Sequence, residues 1–210
     1  MQGEVTVLVT GFGPFEGVSD NASRRVALAL AEGSERAFRV VAEALPTSYT
    51  RARQALEEAV QAHRPDAVVL LGVAPTDVVR VETRAAGWVT SARPDVDGEV
   101  WEGRELGAAR ETRWPVEDWI PAWAEVAGEV GLGLQRSDDC GGYVCNATYH
   151  EALGFDRPSL FVHIPQACDD EAVAAKARVV SAILATLAGV LETRRGREPV
   201  AAVARHGVAS

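Results

Sequence analysis

The chain has 210 residues, 47% of them hydrophobic and 24% charged, which suits one globular domain with a full core and excludes intrinsic disorder and collagen-like repeats. Its 21 basic and 30 acidic residues give a net charge of −9, which disfavours nucleic acid and anionic membrane surfaces as partners, because both require clustered Lys and Arg. The segment from Met1 to Val9 has no basic leader, no stretch reads as a membrane span of roughly 20 apolar residues, and Cys140, Cys145 and Cys168 show no CxxC spacing, so a cytoplasmic protein without a disulfide framework or a zinc site is expected.

In chain order, Val5 to Val9 reads as a first strand, ending in the Gly- and Pro-marked loop Thr10-Gly11-Phe12-Gly13-Pro14-Phe15-Glu16-Gly17. Ser19 or Asn21 can cap a helix running to about Ala31. Arg39 to Leu45 reads as a second strand, stopped by Pro46. Ser48 can cap the next helix, which carries Ala52, Leu56, Ala59 and Val60 on one face and ends at Pro65. Ala67 to Gly72 is a continuous apolar run, as in a buried parallel strand. Val78 to Trp88 is strand-like, and 89–113 reads as a long loop or a pair of short strands. A helix is predicted from Trp114 to Val130, a Gly-rich stretch over 131–142, and a short helix from Cys145 or Asn146 to Gly154. Leu160 to Ile164 reads as a strand ended by Pro165. Asp169 or Asp170 then caps an Ala-rich helix to about Arg194, and 195–210 reads as a mobile tail. This alternation predicts a single α/β domain over 1–194: a three-layer αβα fold whose mixed, mostly parallel sheet is covered by helices on both faces. Sites in such folds lie beyond the carboxyl ends of strands.

Cys145, in Gly141-Gly142-Tyr143-Val144-Cys145-Asn146, stands where a loop becomes a helix. There the free N–H groups and the helix dipole favour a thiolate and can receive an oxyanion. The competing reading is a buried structural cysteine. A nucleophilic thiol needs a base. His63 follows a helix end, His206 lies in the tail, and His150 is badly aimed on Cys145's own helix. His163, a polar interruption of the apolar strand Phe161-Val162-His163-Ile164-Pro165, is the best-placed base, although a hydrogen-bonded core histidine gives the same pattern. Glu82 is a carboxylate able to orient the imidazole, or else part of a solvated face or an ion pair with Arg80 or Arg84. Gly11-Phe12-Gly13 does not continue into a dinucleotide fingerprint, and GxxxxGK[ST], HExxH and GxSxG are missing. Trp88, Trp101, Trp114, Trp119 and Trp123 read as packing residues.

These motifs resemble the pyroglutamyl peptidase I (pyrrolidone-carboxylate peptidase) family over residues 5 to about 190. The segment from Val7 to Gly17 resembles the family's VTGFxPFGG, with Asn21 following. The run 44–49 (ALPTSY) is similar to its LPV-type segment, GYVCN at 142–146 to its nucleophile motif, and VHIP at 162–165 to its histidine motif. The resemblance implies a cysteine exopeptidase that removes an N-terminal pyroglutamyl residue. Cys145 would be the nucleophile, His163 the base and Glu82 the third catalytic member. Arg93 would lie on the oxyanion side, and Phe12 and Phe15 would hold the ring. It further implies no cofactor, a small peptide substrate, and a homo-oligomer (dimer or tetramer). The recognition shell departs from the family: Val73 stands where the family has Gln, Gly87 where it has Asn, and Arg93-Pro94-Asp95 is a shortened form of ARxPD. A divergent enzyme acting on another small acyl-amide, or a retired binding protein on the same scaffold, therefore stays open as an alternative. A phosphorylase-like enzyme is disfavoured, since no phosphate-binding loop is present.

Overall fold

The computed structural model describes residues 4–33 and 37–197. A six-stranded sheet in the order β2-β1-β3-β8-β4-β7 organises them. Strand β1 (Thr6–Phe12) pairs in parallel with β2 (Arg39–Leu45) and β3 (Ala67–Ala74), and β3 with β8 (Ser159–Pro165). Strand β4 (Val78–Glu82) runs antiparallel to β8 and parallel to β7 (Gly133–Ser137). The sheet is therefore mixed and mostly parallel, as the alternation predicts. β7 is the strand that sequence reading missed. It hides in the Gly-rich stretch because, as an edge strand with a largely exposed GLQRS sequence, it carries no apolar signature. The 89–113 stretch is mostly irregular; a two-residue pair, β5 (Arg84–Ala85) with β6 (Arg110–Glu111), closes it.

Both faces of the central strands are apolar, as buried parallel strands require. On one face Val7, Val9, Val69, Leu71, Leu160 and Val162 join α1 (Ala22–Glu32), α3 (Ile120–Glu129) and α5 (Asp170–Arg197). On the other, Leu8, Phe12, Val68, Leu70 and Phe161 meet α2 (Tyr49–His63) and α4 (Val144–Ala152). Within the predicted Trp114–Val130 helix, a 3₁₀ turn at Val116–Asp118 precedes α3, which starts only at Ile120. Four of the five tryptophans pack as expected: Trp101 stacks on Tyr49 at 4.8 Å, and Trp119 bridges Trp114 and Trp123 at 5.8 and 5.6 Å. Trp88 is 51% exposed.

The sequence expectation about membrane spans needs one correction. Asp170–Gly196 in α5 is long and apolar enough, by length and composition, to cross a membrane. In the fold it is a core helix, with Val179, Val180, Ile183, Leu184 and Leu187 fully buried against α1, α3 and the sheet. Of the expected tail, 195–197 continue this helix, and 198–210 lie outside the described residues.

Helix caps fix where the loops enter the site. Asn21, not Ser19, caps α1: its Oδ1 accepts from the Ser23 amide at 3.0 Å and the Ser23 hydroxyl at 2.8 Å. Its Nδ2 donates to the Gly13 carbonyl at 3.0 Å, and the Thr47 hydroxyl donates to the same carbonyl at 3.0 Å. One carboxamide thus caps a helix and ties down the loop after β1. Asn21→Ala should cost about 1–2 kcal/mol of stability, read as a lower urea midpoint with an unchanged slope. A midpoint equal to wild type would show that the cap contributes nothing.

Candidate active site

The site lies on the sheet face that packs against α2 and α4, at the carboxyl ends of β1, β3 and β8. Strand alternation puts Gly72, His163 and Arg80 side by side on three neighbouring strands, since Gly72 pairs with His163 and His163 with Arg80. Glu82 lies two residues further along β4, opposite Phe161, so it meets His163 diagonally. His163 Nδ1 and Glu82 Oε1 are 2.8 Å apart, and the Glu82 side chain is fully buried. A carboxylate only accepts, so Nδ1 carries the hydrogen and Nε2 is left as the basic nitrogen. The competing reading of Glu82 as a solvated surface carboxylate is excluded, whereas its ion pair with Arg80 is present, Nε to Oε1 at 3.3 Å. Glu82 Oε2 is buried without a hydrogen-bond partner among the described residues, a costly arrangement of the kind that marks functional centres.

Cys145 reaches this row from the first turn of α4. A Cβ on Gly72 would lie 3.1 Å from the Cys145 sulfur and 2.8 Å from the Phe161 ring. The Phe161 ring and the thiol together close the space a side chain at Gly72 would fill. His163 is the strand partner of Gly72, and Cys145 and His163 line the same cavity. Tyr143 precedes α4 without a side-chain cap, and its carbonyl takes the Asn146 and Ala147 amides at 3.1 and 3.3 Å.

The thiol's electrostatics differ from the sequence expectation. Burial, with the Glu82 charge second, pushes the Cys145 pKa up to about 12, outweighing its own backbone N–H and Arg80, which pull it down. Desolvation in this half-buried place exceeds the benefit of the helix start. Burial thus favours the neutral thiol over the thiolate in the free protein. Cys140, also on the cavity wall, is buried, and desolvation raises its thiol pKa well above the ordinary value. His150, the badly aimed histidine, is buried with Nε2 on the Ala108 carbonyl at 2.9 Å, and burial lowers its pKa.

A cavity of about 470 Å³ covers this row and brings together Phe12, Phe15, Arg93, Cys145 and His163. Phe12 is buried at the end of β1, while Phe15 sits in a small turn closed by hydrogen bonds with Val18 at 3.0 and 2.8 Å. Arg93 lines the cavity with Cys145 and His163. Its guanidinium donates to the Glu16 carbonyl at 2.6 Å and lies over the Phe15 and Tyr143 rings at 5.0 and 5.6 Å, which makes it a clamp on the Phe15 loop. Asp95 holds the segment that carries Arg93, accepting from the Tyr49, Asp97 and Glu99 amides at 2.8, 2.9 and 2.9 Å.

Sequence reading missed the part Asn146 plays. Asn146 is buried and joins α4 to the 86–88 segment: Oδ1 accepts from the Ala86 amide at 2.7 Å, and Nδ2 donates to the Ala86 and Trp88 carbonyls at 3.1 Å. Its position directly after Cys145 was the only signal. Gly87 has a steric reason, because a Cβ there would meet the Gly107 carbonyl oxygen at 2.0 Å. A side chain at 87 is incompatible with the loop that crosses it.

Fold and site together define an α/β protein with a thiol, an imidazole and a buried carboxylate aligned across one sheet. The family model described as Pyroglutamyl peptidase matches residues 5–190, and the chain belongs to that family. It is 34% identical to a pyrrolidone-carboxylate peptidase of Gloeobacter violaceus over 213 residues, covering 92% of this chain and 98% of the relative. A second relative of that name, from Thermococcus kodakarensis, is 30% identical over 166 residues, 76% of this chain and 80% of the relative. Among solved structures, the pyrrolidone carboxyl peptidase of Fervidobacterium islandicum matches with a TM-score of 0.76 and 27% identity, covering 88% of this chain and 98% of that one. The pyroglutamyl peptidase I of Bacillus amyloliquefaciens gives a TM-score of 0.76 at 24% identity, over 89% and 98%.

Two outcomes follow from the thiol's surroundings. Alkylation of Cys145 by iodoacetamide, followed by mass spectrometry, should be slow at neutral pH and rise about tenfold per pH unit between 7 and 10, because the thiolate fraction grows by that factor below the pKa. A fast, pH-independent rate would mean a preformed thiolate. Gly72→Ala should displace the sulfur and lower kcat/KM by at least about tenfold, and an unchanged value would contradict the seating of Sγ over Gly72.

Proposed function

We propose that this chain is a cysteine exopeptidase that hydrolyses an N-terminal pyroglutamyl residue from peptides. Membership of the pyroglutamyl peptidase family supports the reading. The observation that carries it is the row of Cys145 over Gly72, His163 beside it, and Glu82 on His163 Nδ1 at 2.8 Å.

The substrate's ring enters against Phe12 and Phe15, and its scissile carbonyl comes to rest over Sγ. Sulfur attacks the carbonyl carbon while Nε2 of His163 takes the thiol proton, so a free thiolate of high energy is never required. The imidazolium formed is stabilised by the Glu82 carboxylate. The oxyanion meets the Cys145 N–H and the positive end of α4. His163 then gives its proton to the leaving amine as the C–N bond breaks. Water, deprotonated by the same nitrogen, attacks the thioester and releases the acid and the free thiol. Every proton lost at one step returns at another, so the cycle closes without a cofactor. Arg93 holds Phe15 over the ring. Arg80 shares the charge of Glu82 and keeps the buried carboxylate from standing against the imidazole alone.

This reading includes a homo-oligomer, dimer or tetramer, supported by the exposed apolar side chains of Trp88, Val96 and Val100. It also includes a cytoplasmic location, with which three free cysteines are in keeping.

Release of a fluorescent amine from a pyroglutamyl amide under reducing conditions tests the activity. Wild type should turn over and Cys145→Ala should not; equal rates would reject the mechanism. Glu82→Gln should lower kcat by about 10²–10⁴ with little change in KM, because it loses imidazolium stabilisation and tautomer control. A change confined to KM would instead make Glu82 a binding residue.

A further inference from the structure

A small ring amide buried in an apolar cavity carries one N–H donor and one C=O acceptor, and each costs binding energy if it finds no partner. The cavity's polar side chains are mostly committed elsewhere. Both ends of the Asn21 carboxamide are used, on Ser23 and on Gly13. Thr47 donates to Gly13, and the Tyr143 hydroxyl to the Pro94 carbonyl at 2.8 Å. Arg93 is spent on Glu16 and two aromatic faces. Arg80 is paired with Glu82 and, as a guanidinium, has no acceptor to offer.

Gln166 is different. It is an exposed side chain that lines the same cavity and makes no hydrogen bond to another described residue. It is neutral and offers both a donor and an acceptor. It stands three residues after His163 and one beyond the Pro165–Ala74 pair, at the carboxyl end of β8 beside the β3 end that carries Val73.

The backbone that presents Gln166 is fastened at each of the next three residues. Lys176 Nζ donates to the Ala167 carbonyl, and Arg25 Nη1 to the Cys168 carbonyl. Asp169 Oδ1 accepts from the Ala172 amide at 2.9 Å at the start of α5. Lys176 is the sole lysine of the chain, and it is buried. Burying an ammonium is costly unless it holds something in place; here it holds the turn after β8.

Resting on the reading of this cavity as an acyl site, we infer that Gln166 is the specificity-determining side chain that pairs with the amide of the substrate's ring. It pairs from β8, next to the β3 end where Val73 can form no hydrogen bond. The substrate class is thereby a small neutral ring with adjacent N–H and C=O groups, rather than any apolar acyl group of that size.

The test compares binding of pyrrolidone with that of cyclopentanone, a ring of the same size lacking the N–H, by NMR titration of full-length wild type and Gln166→Leu. Thermal unfolding of both proteins serves as the folding control. Wild type should prefer pyrrolidone, and Gln166→Leu should weaken pyrrolidone about tenfold while leaving cyclopentanone unchanged. Pyrrolidone affinities within twofold of each other, a parallel loss for both rings, or no pyrrolidone binding to wild type would overturn the inference. The two readings fail separately: absent amine release with Gln166-dependent binding overturns hydrolysis alone, and amine release lost in Cys145→Ala while Gln166→Leu binds pyrrolidone as wild type does overturns the Gln166 inference alone.

Discussion

The hydrogen bond between buried Glu82 and His163 is the contact on which the rest of the site depends. It decides which imidazole nitrogen is basic, and so in which direction a proton can move. It exists because β4 runs antiparallel to β8. That pairing sets Arg80 opposite His163 and Glu82 diagonal to it, on the face shared with the thiol. A parallel β4 would have a different register and a different neighbour for the imidazole. The fully buried carboxylate is held by one imidazole and one guanidinium, which compensate its desolvation without filling both oxygens.

The second constraint is an absence. Gly72 has no side chain, and the Phe161 ring and the sulfur of Cys145 close the space over it. Proximity is thereby built into strand pairing rather than into a flexible loop. The cost is desolvation: the thiol is driven well above its ordinary pKa despite its place at a helix start. A neutral pair that exchanges its proton only as the bond forms is consistent with this environment, whereas a resting ion pair would have to stand beside a buried carboxylate in a partly dry cavity. The surrounding loops are tied by single polar residues: Asn21 for the loop after β1, Asp95 for the Arg93 segment, Asn146 for 86–88.

Much of this was legible in the chain itself. The runs Arg39–Leu45 and Ala67–Gly72 are apolar enough to identify themselves as strands, and Ser48, with Ser19 or Asn21, marks helix starts by side chains suited to capping. Cys145 and His163 could be singled out because a cysteine after paired glycines and a histidine inside an apolar strand are both exceptions to their surroundings. Glu82 could not be separated from other carboxylates, since its distinction is burial. Strand β7 was unreadable because an exposed edge strand has no periodicity of its own. Arg93 was assigned to the oxyanion side by resemblance, and only the structure shows that its guanidinium also lies over the Phe15 and Tyr143 rings.

By itself the sequence determined the alternation of strands and helices, the helix starts, and the two residues able to exchange a proton with a substrate. These are local properties, carried by side-chain type and spacing within a few residues. The tertiary structure alone decided that Glu82 is the carboxylate on His163, that the thiol lies close to Gly72 where burial raises its pKa, and that Gln166 lines the same cavity. Each depends on residues far apart in the chain meeting across strand pairs, and on how much water their meeting excludes. Register and desolvation are properties of the packed sheet and not of any segment in it.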